Sequence, residues 1–128
     1  MTIAQVIDHV DRLKPNPFST SQKIEWISQL DRTVWEEVIK THDRPPAFAS
    51  VETFDGYSEE DLDEEPLIGQ PYGDDCYYYW LQAMIDKTNG EIERYNQNIT
   101  MFGTVYNQFT GMYNKRYMPL QPAPRFLF

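Results

Sequence analysis

Residues 74–117 read DDCYYYWLQAMIDKTNGEIERYNQNITMFGTVYNQFTGMYNKRY, and this stretch decides the fold class. Leu81, Ile85, Thr88, Ile92, Tyr95, Ile99, Phe102, Tyr106, Phe109 and Tyr113 follow one another in steps alternating four and three. That is a heptad seam, interrupted chemically only at Thr88. Gly73-Asp74-Asp75 stands ahead of it as a cap with first-turn acids, which suit the positive end of a helix dipole. The spacing predicts one helix from about 74 to 117, ~65 Å long at ~1.5 Å per residue. The pair Asn89-Gly90 can also make a turn, so a helical hairpin broken near Gly90 is the alternative. The seam keeps its phase across the pair and Gly90 falls on the outer face, so a continuous rod is the expectation. Gly103 and Gly111 also lie off the seam, each costing ~1 kcal/mol against Ala unless a neighbour approaches there.

Two shorter helices precede this segment. Ile3, Val6, Ile7, Val10 and Leu13 recur at helical spacing behind Thr2, a capping residue, and Pro15 and Pro17 end the run. Ser19 with Gln22 opens the second helix as a capping box. Ile24, Ile27, Leu30, Val34 and Val38 form its stripe, Trp26 and Trp35 widen it, and Pro45-Pro46 stops it.

Residues 45–73 have no sustained period and hold Pro45, Pro46, Gly56, Pro66, Gly69, Pro71 and Gly73. The fragments 48–51 and 66–68 are candidates for short paired strands. After Met118-Pro119, residues 119–128 (PLQPAPRFLF) read as a proline-stiffened extended arm with an apolar tip. The fold class is therefore all-α: a single helical domain over 1–118 with an irregular acidic loop at 45–73, then the arm.

A net charge of −9 argues against direct nucleic-acid binding, which requires clustered Lys and Arg. The acidity is local. Residues 1–44 are nearly balanced, no base occurs between Arg44 and Lys87, and bases outnumber acids from Lys87 onward. No stretch approaches the ~18 apolar residues of a membrane span, and the first residues lack the apolar run of a signal peptide, so an intracellular product is expected. Aromatic residues make up 15%, which suits either a tyrosine-rich core or a protein interface.

Catalytic chemistry finds little support. His9 and His42 read as surface or helix-capping residues, and Cys76, flanked by Asp74 and Asp75, has acidic neighbours that oppose a thiolate. The acidic run Ser58–Glu65 lacks the spacing of a calcium loop. There is no phosphate-binding glycine loop, no HExxH and no Gly-x-Ser-x-Gly elbow. No catalytic, cofactor or metal residue is expected.

Residues 1–44 and 60–119 resemble a family of small proteins from tailed phages and prophages of Gram-positive bacteria. The resemblance rests on the run from Thr2-Ile3 to Leu13-Lys14-Pro15-Asn16, on KIEWISQLD at 23–31, WEEVIKTH at 35–42 and Asp61-Leu62-Asp63, and on NGEIERYN at 89–96 running on to YNKRYMP at 113–119. It implies a non-enzymatic virion assembly protein similar to head–tail connector (head-completion) proteins, present in the host cytoplasm during assembly and then in the virion. Its partners would be itself, as a homo-oligomer and possible ring, and other phage head or tail proteins. The alternative is a regulatory or adaptor protein that docks one partner through its seam. Candidate partner-binding residues are the seam aromatics Tyr95, Phe102, Tyr106, Phe109 and Tyr113, the basic end Lys115 and Arg116, and the arm tip Phe126, Leu127 and Phe128. The acidic middle and the basic helix end are opposite charges of the kind that head-to-tail contacts use.

Overall fold

The computed structural model describes residues 1–41 and 53–117 and is helical throughout its regular structure, with no strand among the described residues. Helix α1 spans Ile3–Leu13. Thr2 and Gln5 close a reciprocal capping box, and Ile3, Val6, Ile7 and Val10 form the buried face. Helix α2 spans Thr20–Val34, its Ser19 hydroxyl accepting the Gln22 N–H at 3.1 Å, and runs on into a π-helical turn, Trp35–Ile39. Trp26 and Trp35 are both buried, so the apolar stripe is as wide as their positions suggest.

The link between these helices is held by Asn16. Its amide donates to the Lys14 carbonyl and to Asp11, and its side-chain oxygen accepts the Phe18 N–H. Residues 66–68 form no strand; their expected partner, 48–51, lies outside the described residues, as do His42, Pro45-Pro46 and the arm 119–128.

The continuous rod does not form. Two helices stand in its place, α3 at Gly73–Thr88 and α4 at Ile92–Arg116. Gly90 adopts φ +76°, a left-handed conformation that costs other L-residues roughly 1–2 kcal/mol. Around it the Glu91 N–H bonds the Asp86 carbonyl at 2.9 Å and the Gly90 N–H bonds the Lys87 carbonyl at 3.2 Å. These are the paired bonds of a Schellman C-cap, which satisfy carbonyls that a helix end otherwise leaves open. The seam fails where it crosses the turn: Thr88 is exposed and Ile92 is 64% exposed. Folding back places α4 antiparallel to α3, so Trp80 meets Phe102 and Asn98 meets Asp86. A rod would have left those seam side chains in water; the hairpin buries them against the same chain.

Helix α3 is the central element, in contact with α1, α2 and α4. It buries Cys76, Tyr77, Leu81, Ala83, Met84 and Ile85. Polar ties lock the ends of the helices. Asp86, fully buried, accepts Lys14 Nζ from α1 at 2.7 Å and the Asn98 amide from α4 at 2.8 Å. Lys23, also buried, reaches Asp11 at 2.6 Å. At the other end of α3, a Cβ on Gly73 would lie 2.2 Å from the Ile68 carbonyl oxygen, so only glycine admits this approach.

Substitution at Gly90 distinguishes hairpin from rod by its sign. Because nothing lies within 4 Å of a Cβ built there, the effect is one of backbone alone. In urea unfolding, Gly90→Ala is expected to lower stability by about 1 kcal/mol. A continuous helix would instead gain about 1 kcal/mol from the same change.

Candidate interaction surface

A single carboxylate organises the irregular segment. Asp31 lies on the apolar stripe of α2 and is fully buried. Its Oδ2 accepts the Tyr57 hydroxyl and the Leu67 N–H, and its Oδ1 accepts the Tyr77 hydroxyl. The Tyr77 oxygen in turn accepts the Ile68 N–H at 2.9 Å. No cation joins this group among the described residues. Burial raises the Asp31 pKa from 3.8 to about 6, although its three hydrogen bonds pull the other way. The Tyr77 and Tyr57 hydroxyls are pushed well above the usual tyrosine range, by burial first and by the adjoining Asp31 next.

Further bonds fasten the same segment to the helices. Leu62 and Glu64 carbonyls accept the Ala4 and Ile3 N–H groups, each at 2.9 Å, which satisfies two donors at the start of α1. The Tyr57 N–H donates to Ser28 Oγ at 2.9 Å, Arg32 donates to the Asp55 carbonyl, and Ser21 donates to Glu59. The acidic run is thus a formed corner. A short 3-10 turn, Glu59–Asp61, is capped by Ser58, and Glu59, Glu60, Asp63, Glu64 and Glu65 all face solvent.

Helix α4 has two contrasting faces. Inward, Phe102, Tyr106, Phe109, Tyr113 and Tyr117 form a ladder of rings with successive centroids 5.4, 6.1, 5.8 and 4.6 Å apart, continued at its upper end by Trp80 at 5.2 Å from Phe102. Phe109 and Tyr113 are buried within this chain, while Tyr95, Phe102 and Tyr106 are half-buried against its core. Burial, with Glu37 nearby, pushes the Tyr106 hydroxyl up to about 12. The seam proposed for partners is therefore largely occupied by the chain's own core.

Outward, α4 presents Asn96, Gln97, Thr100, Met101, Thr104, Asn107 and Gln108, all exposed, and no charged residue occurs between Arg94 and Lys115. Thr100 and Thr104 donate their hydroxyls to the Asn96 and Thr100 carbonyls of their own helix, so they turn methyl groups to solvent with no donor left over. Lys115 and Arg116 end this face, exposed. Between its last two turns and Tyr72 lies an open groove of about 600 Å³, with Gln108, Gly111 and Met112 along its floor.

The remaining candidates fall away from this surface. Cys76 is buried, and burial together with Asp75 pushes its thiol up to about 12, the reverse of an activated nucleophile. His9 is exposed and packs at a tilt against Tyr78, ring centroids 5.1 Å apart. Phe126, Leu127 and Phe128 lie outside the described residues. Among the described residues no cluster of metal-ligating side chains occurs, and no helix is long and apolar enough to cross a membrane.

The fold and surface define a small all-α domain built on a helical hairpin. No family model, no curated protein and no solved structure matches the chain.

Two features escaped the sequence analysis. Asp31 carried a readable signal, since a carboxylate in phase with Ile24, Ile27, Val34 and Val38 on an apolar stripe is bound to be buried with partners or to break the helix. The uncharged outer face of α4 was also present in the letters, but its meaning depends on knowing which side of the helix faces out.

Asp31 yields a pH test. The folded state holds the Asp31 proton more tightly than the unfolded chain between about pH 4 and 6. This group's contribution therefore rises as pH falls through that window and is lost as pH rises through 6, by roughly 3 kcal/mol in all. Asp31→Asn keeps an acceptor for Leu67 and Tyr57 but leaves the Tyr77 proton without one. It is expected to cost about 1 kcal/mol at pH 7 and to flatten the stability difference between pH 7 and pH 5 relative to wild type. Asp31→Ala strands all three donors and is expected to cost about 3 kcal/mol or more in the same urea titrations.

Proposed function

We propose that the chain is a non-enzymatic virion assembly protein of a tailed phage or prophage, acting as a head–tail connector or head-completion adaptor through protein–protein contacts. The observation that carries this reading is the outer face of α4. In a chain with 24% charged residues, a twenty-residue run (95–114) has none, and its exposed half is made of amides, threonine methyls and Met101. Depletion of charge over a continuous face marks the centre of protein interfaces, where charges would have to be desolvated. A solvent-facing helix with no partner ordinarily carries Lys and Glu at such positions. The resemblance at residues 1–44 and 60–119 supplies the assembly context, and the self-contained hairpin supplies a rigid rod of about 37 Å on which to present the face.

The alternative is an adaptor that docks one host or phage partner on the same face. Particle composition separates the two. Deleting the gene from the encoding phage is expected to leave filled heads and free tails, and mass spectrometry of normal particles to find the chain at a fixed stoichiometry. Normal tailed particles from the deletion, or particles lacking the chain, would reject the connector reading and favour the adaptor.

A charge in the middle of the face tests the surface itself. Thr104→Glu replaces an exposed residue and is expected to change the melting temperature of the isolated protein little, since surface substitutions usually stay within about 0.5 kcal/mol. Complementation of the deletion should nevertheless fall at least tenfold. Full complementation by this variant would remove the α4 face from the mechanism.

A further inference from the structure

We infer that the groove at the C-terminal end of α4 is a docking site for the acidic corner of a second copy of this chain. The inference rests on the assembly reading above and names the surfaces by which copies would meet.

The argument begins with how the cations are used. Among the described residues, Arg12, Lys14, Lys23, Arg32, Lys40 and Arg94 each have a carboxylate within ion-pair distance. Lys115 and Arg116 have none, stand side by side and border the groove beside Tyr72. On the anionic side, the exposed side chains of Glu60, Asp63 and Glu64 likewise have no cation within ion-pair distance among the described residues. The molecule thus satisfies most of its cations internally; apart from Lys87, which stands alone at the end of α3, the unmatched cations are the adjoining pair at the groove, and three unmatched acids gather at the corner.

Shape agrees with charge. The groove is open, about 600 Å³, and bounded by uncharged Gln108, Gly111 and Met112, so no acidic side chain lines the way to Lys115 and Arg116. A Cβ built on Gly111 would touch nothing within 4 Å, so its floor is open space and not filled by this chain's described residues. The corner is convex, a capped 3-10 turn with outward acids, and the bonds to Asp31 and to the start of α1 hold it in one shape. A preformed corner loses little conformational entropy on docking. An arginine at the edge of a groove that also holds Tyr72 and Met112 is the residue type that interfaces favour.

Groove and corner are different surfaces of the same chain, so the contact is heterologous, and each copy can both give and receive. Such contacts propagate into a ring when the rotation closes and into an open chain when it does not. Salt should weaken the contact, since both charge clusters face solvent.

Charge-swapped variants of the full chain test this by light scattering and sedimentation equilibrium at low and high salt. Wild type is expected to associate beyond a dimer at low salt and to dissociate as salt rises. Lys115→Glu with Arg116→Glu, and separately Glu60→Lys with Asp63→Lys and Glu64→Lys, should each weaken association at least tenfold, because the groove pair and the corner's three unpaired side chains then carry the same sign. An equal mixture of the two variants should recover it, since acidic groove meets basic corner and basic groove meets acidic corner. Gly111→Leu fills the groove with a better helix former, so it should keep or raise the melting temperature while association is lost. A single-copy mass for wild type at every concentration and salt, association unchanged by either reversal, or a mixture that fails to recover would each overturn the inference. So would binding of a short DNA duplex that is abolished by the Lys115 and Arg116 reversal, which would reassign the groove to a polyanion. Particle composition is read independently of these results, so the connector reading can stand when this interface falls.

Discussion

Asp31 is the constraint on which the arrangement of the other elements depends. A carboxylate in the middle of an apolar stripe loses its hydration on folding, and the chain offsets that loss with three donors drawn from Tyr57, Leu67 and Tyr77. Those donors come from the acidic segment and from α3, so satisfying one side chain positions two other parts of the protein. The Tyr77 hydroxyl extends the chain of bonds to the Ile68 backbone, next to the point where the Ile68 carbonyl presses on Gly73. The entry into α3 and the placement of the acidic corner therefore follow from the same buried group.

The second organising element is the division of labour along α4. Its inner face joins the aromatic ladder, where each ring pair adds roughly 0.5–1.5 kcal/mol beyond its area. Between Arg94 and Lys115 its outer face is free of charge. A helix held this firmly on one side gives the other side a fixed shape, and a fixed shape is what a docking face requires. The same logic applies to the corner, whose backbone is held by Ile3, Ala4 and Ser28 while its carboxylates remain in solvent. Acidity that reads in the composition as a property of the whole chain is in fact concentrated on one formed feature.

Helices α1 and α2 were legible because their signals are local. Thr2 with Gln5 and Ser19 with Gln22 cap within one turn, Pro15 and Pro17 forbid continuation, and the apolar spacing marks the buried side. The heptad seam was equally legible as a buried stripe, and Phe109, Tyr113, Leu81 and Ile85 are indeed inside. What periodicity does not encode is the direction in which burial happens. An unbroken phase from Leu81 to Tyr113 is satisfied by a rod with an external partner and nearly as well by a hairpin that partners itself, and only Thr88 and Ile92 differ between the two.

The letters of the sequence by themselves determined that the chain is helical, where its first helix begins and ends, where its second begins, which side chains seek burial and where the negative charge collects. These follow from capping, proline geometry and hydrophobic spacing, all of which act within a turn or two of the chain. The tertiary structure alone decided that Gly90 turns left-handed and folds the seam onto itself, that Asp31 and Asp86 are buried with partners far away in sequence, and that the uncharged side of α4 faces out. Those outcomes depend on which distant groups meet, and a carboxylate, a glycine or a run of amides means one thing in water and another against a neighbour.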